Sequence, residues 1–221
     1  DSKATIKVIG NTVNSGSAAT IPLAFGDNII TVEVTAEDGS RKTYTVTVNR
    51  QVLPQHTISF NGTNQYLAVP NNAAFETPNA TVEMWVKPDW TAGQASGNPA
   101  LIGLRSATTG TRYSIHMNSQ LNAIGIWNNS SYSIRGYTFE KGKWYHVAVV
   151  MGAQSTEFFI NGVSIGSVPI TLNSGKTGQP LQIGVADVST SSYNEIFKGE
   201  MDDIRVWNTA RTAEEIKANY G

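Results

Sequence analysis

Aromatic and planar polar side chains in two predicted loops have the chemistry of a sugar-binding surface. Trp90 follows Lys87-Pro88, and Trp127 and Asn128 are followed closely by Tyr132. A flat aromatic ring can cover the C–H face of a sugar, while amide and guanidinium groups bond its hydroxyls. Arg112 and Arg135 would supply forked donors. The predicted ligand-binding residues are Trp90, Arg112, Trp127, Asn128 and Tyr132.

The tryptophans also have a purely structural interpretation. Trp85, Trp144 and Trp207 lie in predicted strands and would belong to the core. Trp90 and Trp127 would then partly cover the ends of loops. The sequence leaves both interpretations open.

A pair of carboxylates raises the question of glycoside hydrolysis, which uses two such groups on either side of the scissile bond. Glu200 and Asp202 are two residues apart and would share one face of a strand. The E-x-D-x-x-E pattern of retaining hydrolases would need a third carboxylate where Arg205 stands. A polar strand end is therefore favoured over a catalytic pair.

The three histidines, His56, His116 and His146, are scattered and contain no i, i+4 pair. His146 lies in an apolar run, which predicts a buried structural histidine rather than a catalytic base.

Composition restricts the possible partners. Only 15% of the 221 residues are charged and the net charge is −1, which argues against electrostatic capture of nucleic acid or of an acidic membrane. The sequence contains no run of about 18 apolar residues, so we do not expect membrane insertion. The chain has no cysteine and begins at Asp1, and its low charge is common among bacterial surface and secreted proteins. We therefore expect an extracellular or cell-surface fragment of a longer protein.

Short strands separated by Gly and Asn turns predict an all-β protein. Residues 1–50 indicate three or four strands, with a hairpin turn at residues 37–40. The Leu53-Pro54 pair places a linker at residues 51–56. Residues 57–221 predict an antiparallel β-sandwich or jelly roll. A short C-terminal helix follows, with Thr212 and Glu215 as a capping box.

Residues 26–39 (GDNIITVEVTAEDG) and 42–50 (KTYTVTVNR) carry one family resemblance. They resemble the C-terminal half of the cadherin-like β-sandwich repeat of bacterial surface proteins, over residues 1–50. The resemblance implies a partial module with an open edge. We expect strands from an upstream segment or a neighbouring subunit to complete it.

A second resemblance rests on five ordered motifs. They are residues 59–69 (SFNGTNQYLAV), 81–88 (TVEMWVKP), 143–150 (KWYHVAVV), 159–162 (FING) and 199–208 (GEMDDIRVWN) with the following 212–216 (TAEEI). These resemble laminin G-like domains, and the last also resembles the end of pentraxins. The resemblance implies a concanavalin A-like sandwich over residues 57–221. That fold serves lectins, adhesins, spacers and hydrolases alike.

The same resemblance implies a structural calcium ion. In related sandwiches the first and last strands are neighbours, so Asp202 would join carbonyls of the Asn61-Gly62 turn around Ca²⁺. The alternative is a strand-end carboxylate held by backbone N–H groups. Residues 187–195 align with the pentraxin double-calcium loop and keep Asp187, Asn194 and Glu195. Val185 and Ala186 replace its acidic run, so we do not expect that site.

The sequence thus predicts a non-catalytic extracellular binding or adhesion module of a larger bacterial protein, recognising a glycan or a partner protein. A structural spacer, or a filament subunit completed by strand addition, is the alternative. A glycoside hydrolase ranks third.

Overall fold

The computed structural model describes residues 3–23, 26–50, 56–95, 97–188 and 195–220. Internal contacts divide the chain into two compact units, Asp1–Val52 with Tyr220–Gly221, and Leu53–Asn219. Every named strand pairs antiparallel with its neighbours, and one short helix lies at the C-terminus. The predicted all-β class is confirmed. Among the described residues, no helix has the length and apolar character needed to span a membrane.

The first unit is a single four-stranded sheet, called sheet 1. Its strands are β1 (Thr5–Val8), β2 (Asn11–Val13), β3 (Gly26–Thr35) and β4 (Arg41–Arg50), in the order β2-β1-β3-β4. The predicted turn at residues 37–40 connects β3 to β4, and Gly39 takes a φ of 83° there. That prediction is confirmed.

Sheet 1 has no second layer within the described part of the unit. None of the described side chains between residues 3 and 50 is buried, and Ile29 is 68% exposed. A sheet needs another layer against which to bury its apolar face. The first unit therefore has the form of a partial module.

The second unit contains two six-stranded sheets. The strands of sheet 2 are β6 (Leu67–Val69), β8 (Ala100–Ser106), β9 (Gly110–Met117), β10 (Ala123–Trp127), β11 (Tyr132–Gly136) and β15 (Leu181–Ile183). Those of sheet 3 are β5 (Ile58–Asn61), β7 (Ala80–Pro88), β12 (Tyr145–Met151), β13 (Thr156–Ile160), β14 (Val163–Val168) and β16 (Lys198–Trp207). Sheet 2 has the order β11-β10-β9-β8-β15-β6, and sheet 3 the order β14-β13-β12-β7-β16-β5.

The main core lies between sheets 2 and 3. It joins Ile115, Ile124 and Ile126 of sheet 2 with Val147 and Phe158 of sheet 3 in one buried cluster. Successive side chains of a strand point to opposite faces. His116, Gly125 and Trp127 therefore lie on the face of sheet 2 that is turned away from this core.

Two features of the second unit lie outside the sequence-based predictions. Strand β11 was not predicted, although Tyr132 and Ile134 alternate with polar residues after the turn at Asn128-Asn129. The Asn61-Gly62 turn does not form a hairpin, because β5 belongs to sheet 3 and β6 to sheet 2. The expected pairing of the first strand of this unit, β5, with the last, β16, is confirmed.

The C-terminal helix α1 (Ala213–Tyr220) packs on the outer face of sheet 3. The backbone N–H of Glu215 donates to Thr212 Oγ1 (3.3 Å), and that of Thr212 donates to Glu215 Oε2 (2.8 Å). This reciprocal pair confirms the predicted capping box. Ile216 is buried against three apolar side chains of sheet 3, Ala148, Val150 and Phe159.

Candidate functional site

The outer face of sheet 2 brings two predicted aromatic residues together. Trp127 of β10 pairs directly with Tyr132 of β11 and, on its other side, with Ser114 of β9. Directly opposed residues of neighbouring strands have their side chains in contact range. Trp127 and Tyr132 therefore form one aromatic surface.

A glycine shapes this surface. A Cβ atom at Gly125 would lie 2.7 Å from Tyr132 Oη, so the phenol ring occupies the space above the glycine. From that position the ring meets the imidazole of His116 edge to face, with centroids 6.1 Å apart. Burial raises the pKa of the Tyr132 hydroxyl to about 12, which keeps it neutral.

His116 is buried in this face and presents one unpartnered nitrogen. Its Nδ1 lies 2.9 Å from the carbonyl oxygen of Asn98, which can only accept, so Nδ1 carries the proton. Burial lowers the pKa of the imidazole and so favours the neutral form. No described residue bonds Nε2. Nε2 therefore has a buried lone pair that can accept a hydrogen bond.

An ion pair lies next to His116. Arg105 at the end of β8 donates to Glu195 Oε2 over 2.9 Å, and both side chains are about one third exposed or less, at 26% and 32%. A partly exposed pair of this kind offers both donors and acceptors to a ligand. Its two charges cancel.

These groups surround a cavity of about 210 Å³. Its described lining residues are Asn98, Arg105, His116, Trp127, Tyr132 and Glu195. The cavity thus combines two aromatic rings, one neutral acceptor and one ion pair. Such a mixture of apolar faces and a few placed polar groups is typical of small-ligand sites.

Sequence reasoning found Trp127 and Tyr132 but not their polar neighbours. Arg105, His116 and Glu195 come from three distant segments: the pairing of β8 with β9 brings the first two together, and Glu195 reaches Arg105 from the segment before β16. One usable signal was the alternation in β9, which places His116 outward beside Gly125.

Trp90 was predicted as a platform, and the structure corrects this. It is buried in the main core, its Nε1 donates to the carbonyl of Ser119 (3.2 Å), and its ring meets Phe197 edge to face. The chain beyond Pro88 turns inward, so the indole cannot face a ligand. Trp85 is also buried, whereas Trp207 is 36% exposed and carries the guanidinium of Arg211 on its ring.

Arg112 was predicted to donate to a ligand, but its side chain is buried and engaged by loops. Nη1 donates to the carbonyls of Asn173, Ser174 and Lys176 at 3.4, 3.2 and 2.9 Å, and Nη2 donates to that of Thr77. These bonds hold two loops to β9. The role of Arg112 is structural.

The side chain of Asn128 is likewise engaged by hydrogen bonds to other parts of the protein. Its side-chain amide donates to the carbonyl of Thr171 (2.9 Å), and its oxygen accepts from the N–H groups of Ser130 and Ser131. The residue shapes the turn that carries Trp127 and Tyr132, and its own amide is not directed at the cavity. Arg135 lies beside Gly166 and does not line the cavity.

The predicted calcium ligands do not converge. Asn61 pairs with Lys198 in the β5–β16 ladder, so Asp202 lies four residues, about 13 Å, further along the strand. Ligands of one calcium ion lie within about 2.6 Å of it. Asn61 Oδ1 already accepts from three backbone N–H groups, and the side chain of Lys198 covers Gly62. These three residues do not fit one ion.

Other carboxylates give no metal cage either. Among the described residues, no group of three or more His, Asp or Glu side chains is placed to hold a metal. Asp202 Oδ1 accepts from the N–H of Asp203 (2.7 Å), as the alternative interpretation expected. Of the pentraxin-like loop, Asp187 is buried, Glu195 lines the cavity, and Asn194 lies outside the described residues.

The proposed carboxylate pair has structural partners. Glu200 is held by Lys87 across the sheet and accepts from Thr57 (3.1 Å).

His146 is buried, as predicted, and its Nε2 lies 3.7 Å from Glu83. Neither Glu200 nor His146 is among the described residues that line the cavity on sheet 2.

Family models match both parts of the chain. The model described as the concanavalin A-like lectin/glucanases superfamily, of the laminin G type, matches residues 61–217. The model described as a cadherin-like beta sandwich domain matches residues 1–51. None of the curated protein sequences matches the chain.

Three solved structures share the fold at low identity. A heptameric SAP-like pentraxin from Limulus polyphemus is 21% identical, covering 75% of this chain and 81% of the other, with a TM-score of 0.57. The CBM40 of the Ruminococcus gnavus IT-sialidase, bound to α2,3-sialyllactose, is 14% identical, covering 78% and 100%, with a TM-score of 0.57. Domain 4 of the arabinanase AbnA from Geobacillus stearothermophilus, with arabinotriose, is 15% identical, covering 99% and 88%, with a TM-score of 0.55.

Proposed function

The chain belongs to the concanavalin A-like lectin/glucanases superfamily, and from this membership we propose that it is a glycan-binding module. The cavity on the outer face of sheet 2 is the proposed binding site. Trp127 and Tyr132 cover the C–H face of a sugar, and Arg105, His116 and Glu195 bond its hydroxyls.

One observation carries this proposal: the same cavity contains aromatic faces and a buried acceptor that has no described hydrogen-bond partner. His116 Nε2 is buried without a described partner, and burying such a group costs free energy unless something donates to it. A sugar hydroxyl is such a donor. Two of the three solved relatives named above were determined with glycans bound, which supports this ligand class.

We propose a binding role without catalysis. Glu195 is the single carboxylate among the described lining residues, whereas glycoside hydrolysis in most families uses two. An assay of the chain against chromogenic glycosides and polysaccharides should show no turnover, and turnover that depends on Glu195 would contradict this.

The proposed setting is the surface of a bacterial cell or a secreted protein, where the module would adhere to glycans for a larger chain. The supporting observations are the low charge, the absence of cysteine and the cadherin-like match at residues 1–51. Detection of the parent protein in surface and culture fractions tests this setting.

A second proposed role concerns sheet 1. Its apolar side chains are exposed or only half-buried, and a cavity of about 390 Å³ opens beside Ile9, Val13 and Ile21. A strand added from a preceding segment or a neighbouring subunit would cover such a face. Native mass measurements of the full chain test addition by a neighbouring subunit: assemblies that depend on residues 1–50 support that source, and a strictly monomeric chain at high concentration contradicts it.

The leading proposal is tested by glycan-array screening of the chain, with and without calcium. We expect binding to a defined set of glycans. No binding across diverse glycans and polysaccharides would contradict it.

A further inference from the structure

Building on the proposed glycan site, we propose that the cavity selects a single uncharged sugar ring, one of whose hydroxyl or amide N–H groups donates to His116 Nε2. This inference rests on the proposed function and adds to it a ligand class, an uncharged sugar, and the atom that recognises it, His116 Nε2.

The hydrogen-bonding state of His116 fixes what the ligand must offer at that point. Nδ1 is committed to the carbonyl of Asn98 at 2.9 Å, so Nε2 can only accept. Its surroundings favour a neutral ring, because the imidazole is buried and Arg105 lies nearby. A ligand atom against Nε2 must therefore be a donor, and a carboxylate oxygen there would meet a second lone pair.

The charges around the cavity disfavour an acidic sugar. Arg105 is paired with Glu195, His116 is neutral, and the hydroxyl of Tyr132 stays protonated. A sugar carboxylate would have to compete with Glu195 for Arg105, and the displaced Glu195 would be left unpaired. The sugar carboxylate would also lie close to the carboxylate of Glu195, and the two like charges would repel each other.

The volume of the cavity suits one sugar ring. About 210 Å³ has room for one pyranose, so one ring is the part of a glycan that these side chains can contact. Tyr132 and Trp127 form one wall and the Arg105–Glu195 pair another, so the ring would lie between an apolar and a polar side. One hydroxyl of a vicinal pair can accept from Arg105 while the other donates to Glu195.

The first test uses the unmodified protein and matched ligands. Affinities are measured by calorimetry for methyl glycosides of neutral hexoses and of the corresponding uronic acids, which differ only in a carboxylate at C6. We expect at least one hexoside to bind about tenfold or more tightly than its uronide. Equal or tighter binding of the uronides would overturn the proposal.

The second test identifies the donor through a double-mutant cycle. Monodeoxy analogues of the best hexoside are compared on the native protein and on His116→Phe, which keeps the ring shape beside Tyr132. We expect one deoxy position to weaken native binding about tenfold, and the same change to have no effect on His116→Phe. Independent losses in the two would overturn the assignment to His116.

A spectroscopic measurement covers the case in which His116→Phe does not fold. The ¹⁵N signal of Nε2 in the native protein should shift when the hexoside binds, and should not shift with the critical deoxy analogue. An identical shift with both ligands would overturn the proposed contact. If no sugar binds at all, or if Trp127→Ala leaves binding unchanged, the glycan-site proposal itself fails. If Trp127→Ala abolishes binding but uronides are preferred, only the selectivity proposal fails.

Discussion

The ring of Tyr132 meets the imidazole of His116 edge to face, with centroids 6.1 Å apart and planes at 87°. The two residues lie on strands β11 and β9, with β10 between them. They reach each other because the residue of β10 beneath the phenol is Gly125, which has no side chain. This contact joins the aromatic wall of the cavity to its buried acceptor.

Gly125→Ala should disrupt the cavity without unfolding the domain. The new Cβ would lie 2.7 Å from Tyr132 Oη and 2.8 Å from Ile134 Cγ2, so both side chains must move. We expect glycan affinity to fall about tenfold and the free energy of unfolding to fall by about 1–3 kcal/mol. Gly136→Ala is the matched control, because its Cβ would meet one backbone oxygen at 3.9 Å. Equal binding by both variants would contradict this account of Tyr132.

Arg112→Lys should lower stability and leave sugar selectivity unchanged. The guanidinium bonds four carbonyls from inside a buried site, and one ammonium cannot reach all of them. We expect a loss of about 3 kcal/mol in unfolding free energy by denaturant titration. Arg135→Lys should change it by less than about 1 kcal/mol. If Arg112→Lys changed the order of preferred glycans, Arg112 would have to be part of the binding site after all.

Stability should decrease as the pH falls below about 6.5, partly because of His146. Burial and, to a smaller extent, the nearby Arg205 lower the pKa of His146 to about 4. Between these two values the unfolded chain binds a proton that the folded protein does not, so acid favours unfolding. The contribution is at most about 3 kcal/mol, lost between pH 6.5 and 4.

Two variants isolate this effect. Glu83 contacts His146, and because burial raises the pKa of its carboxyl, its own contribution has the opposite sign. Unfolding free energies are therefore measured against pH for native protein and His146→Phe, and the difference between them is taken. His56→Gln at an exposed position is the control. The difference should grow with pH from 4 to 6.5, and a flat difference would rule out the assignment to His146.

Calcium binding remains a prediction, now without its proposed ligand set. If calcium raises the melting temperature of the chain, Asp202→Asn should leave that rise intact, because Asn61 and Gly62 lie too far along the ladder to share an ion with Asp202. The measurement is thermal unfolding with calcium and with a chelator. A rise that disappears in Asp202→Asn would restore the original ligand set.

The fold was largely predictable because its signals are local. The alternating strands, the turn at residues 37–40 and the Thr212–Glu215 capping box each depend on residues near one another, and the structure contains all three. The position of the turn after β5 was also predictable, but not the sheet that the following strand, β6, joins. Whether a turn returns to the same sheet or crosses to the other depends on long-range pairing, which local pattern does not encode.

The site was predictable only in part for the same reason. Trp127 and Tyr132 are close in sequence, so their association was visible. Arg105, His116 and Glu195 meet through strand register and a loop. Trp90 and Arg112 have the residue types of a ligand site, yet the core and two loops engage them. Residue type gives the chemistry available, and burial determines where it is used.

The most direct test of the glycan-binding site compares native protein with the Trp127→Ala, Tyr132→Ala double variant against the strongest array ligand, by calorimetry. Trp207→Ala, an exposed tryptophan on sheet 3, is the control. We expect the double variant to lose at least about a hundredfold in affinity and the control to bind as the native protein does. Unchanged affinity in a folded double variant would show that the cavity on sheet 2 is not the binding site.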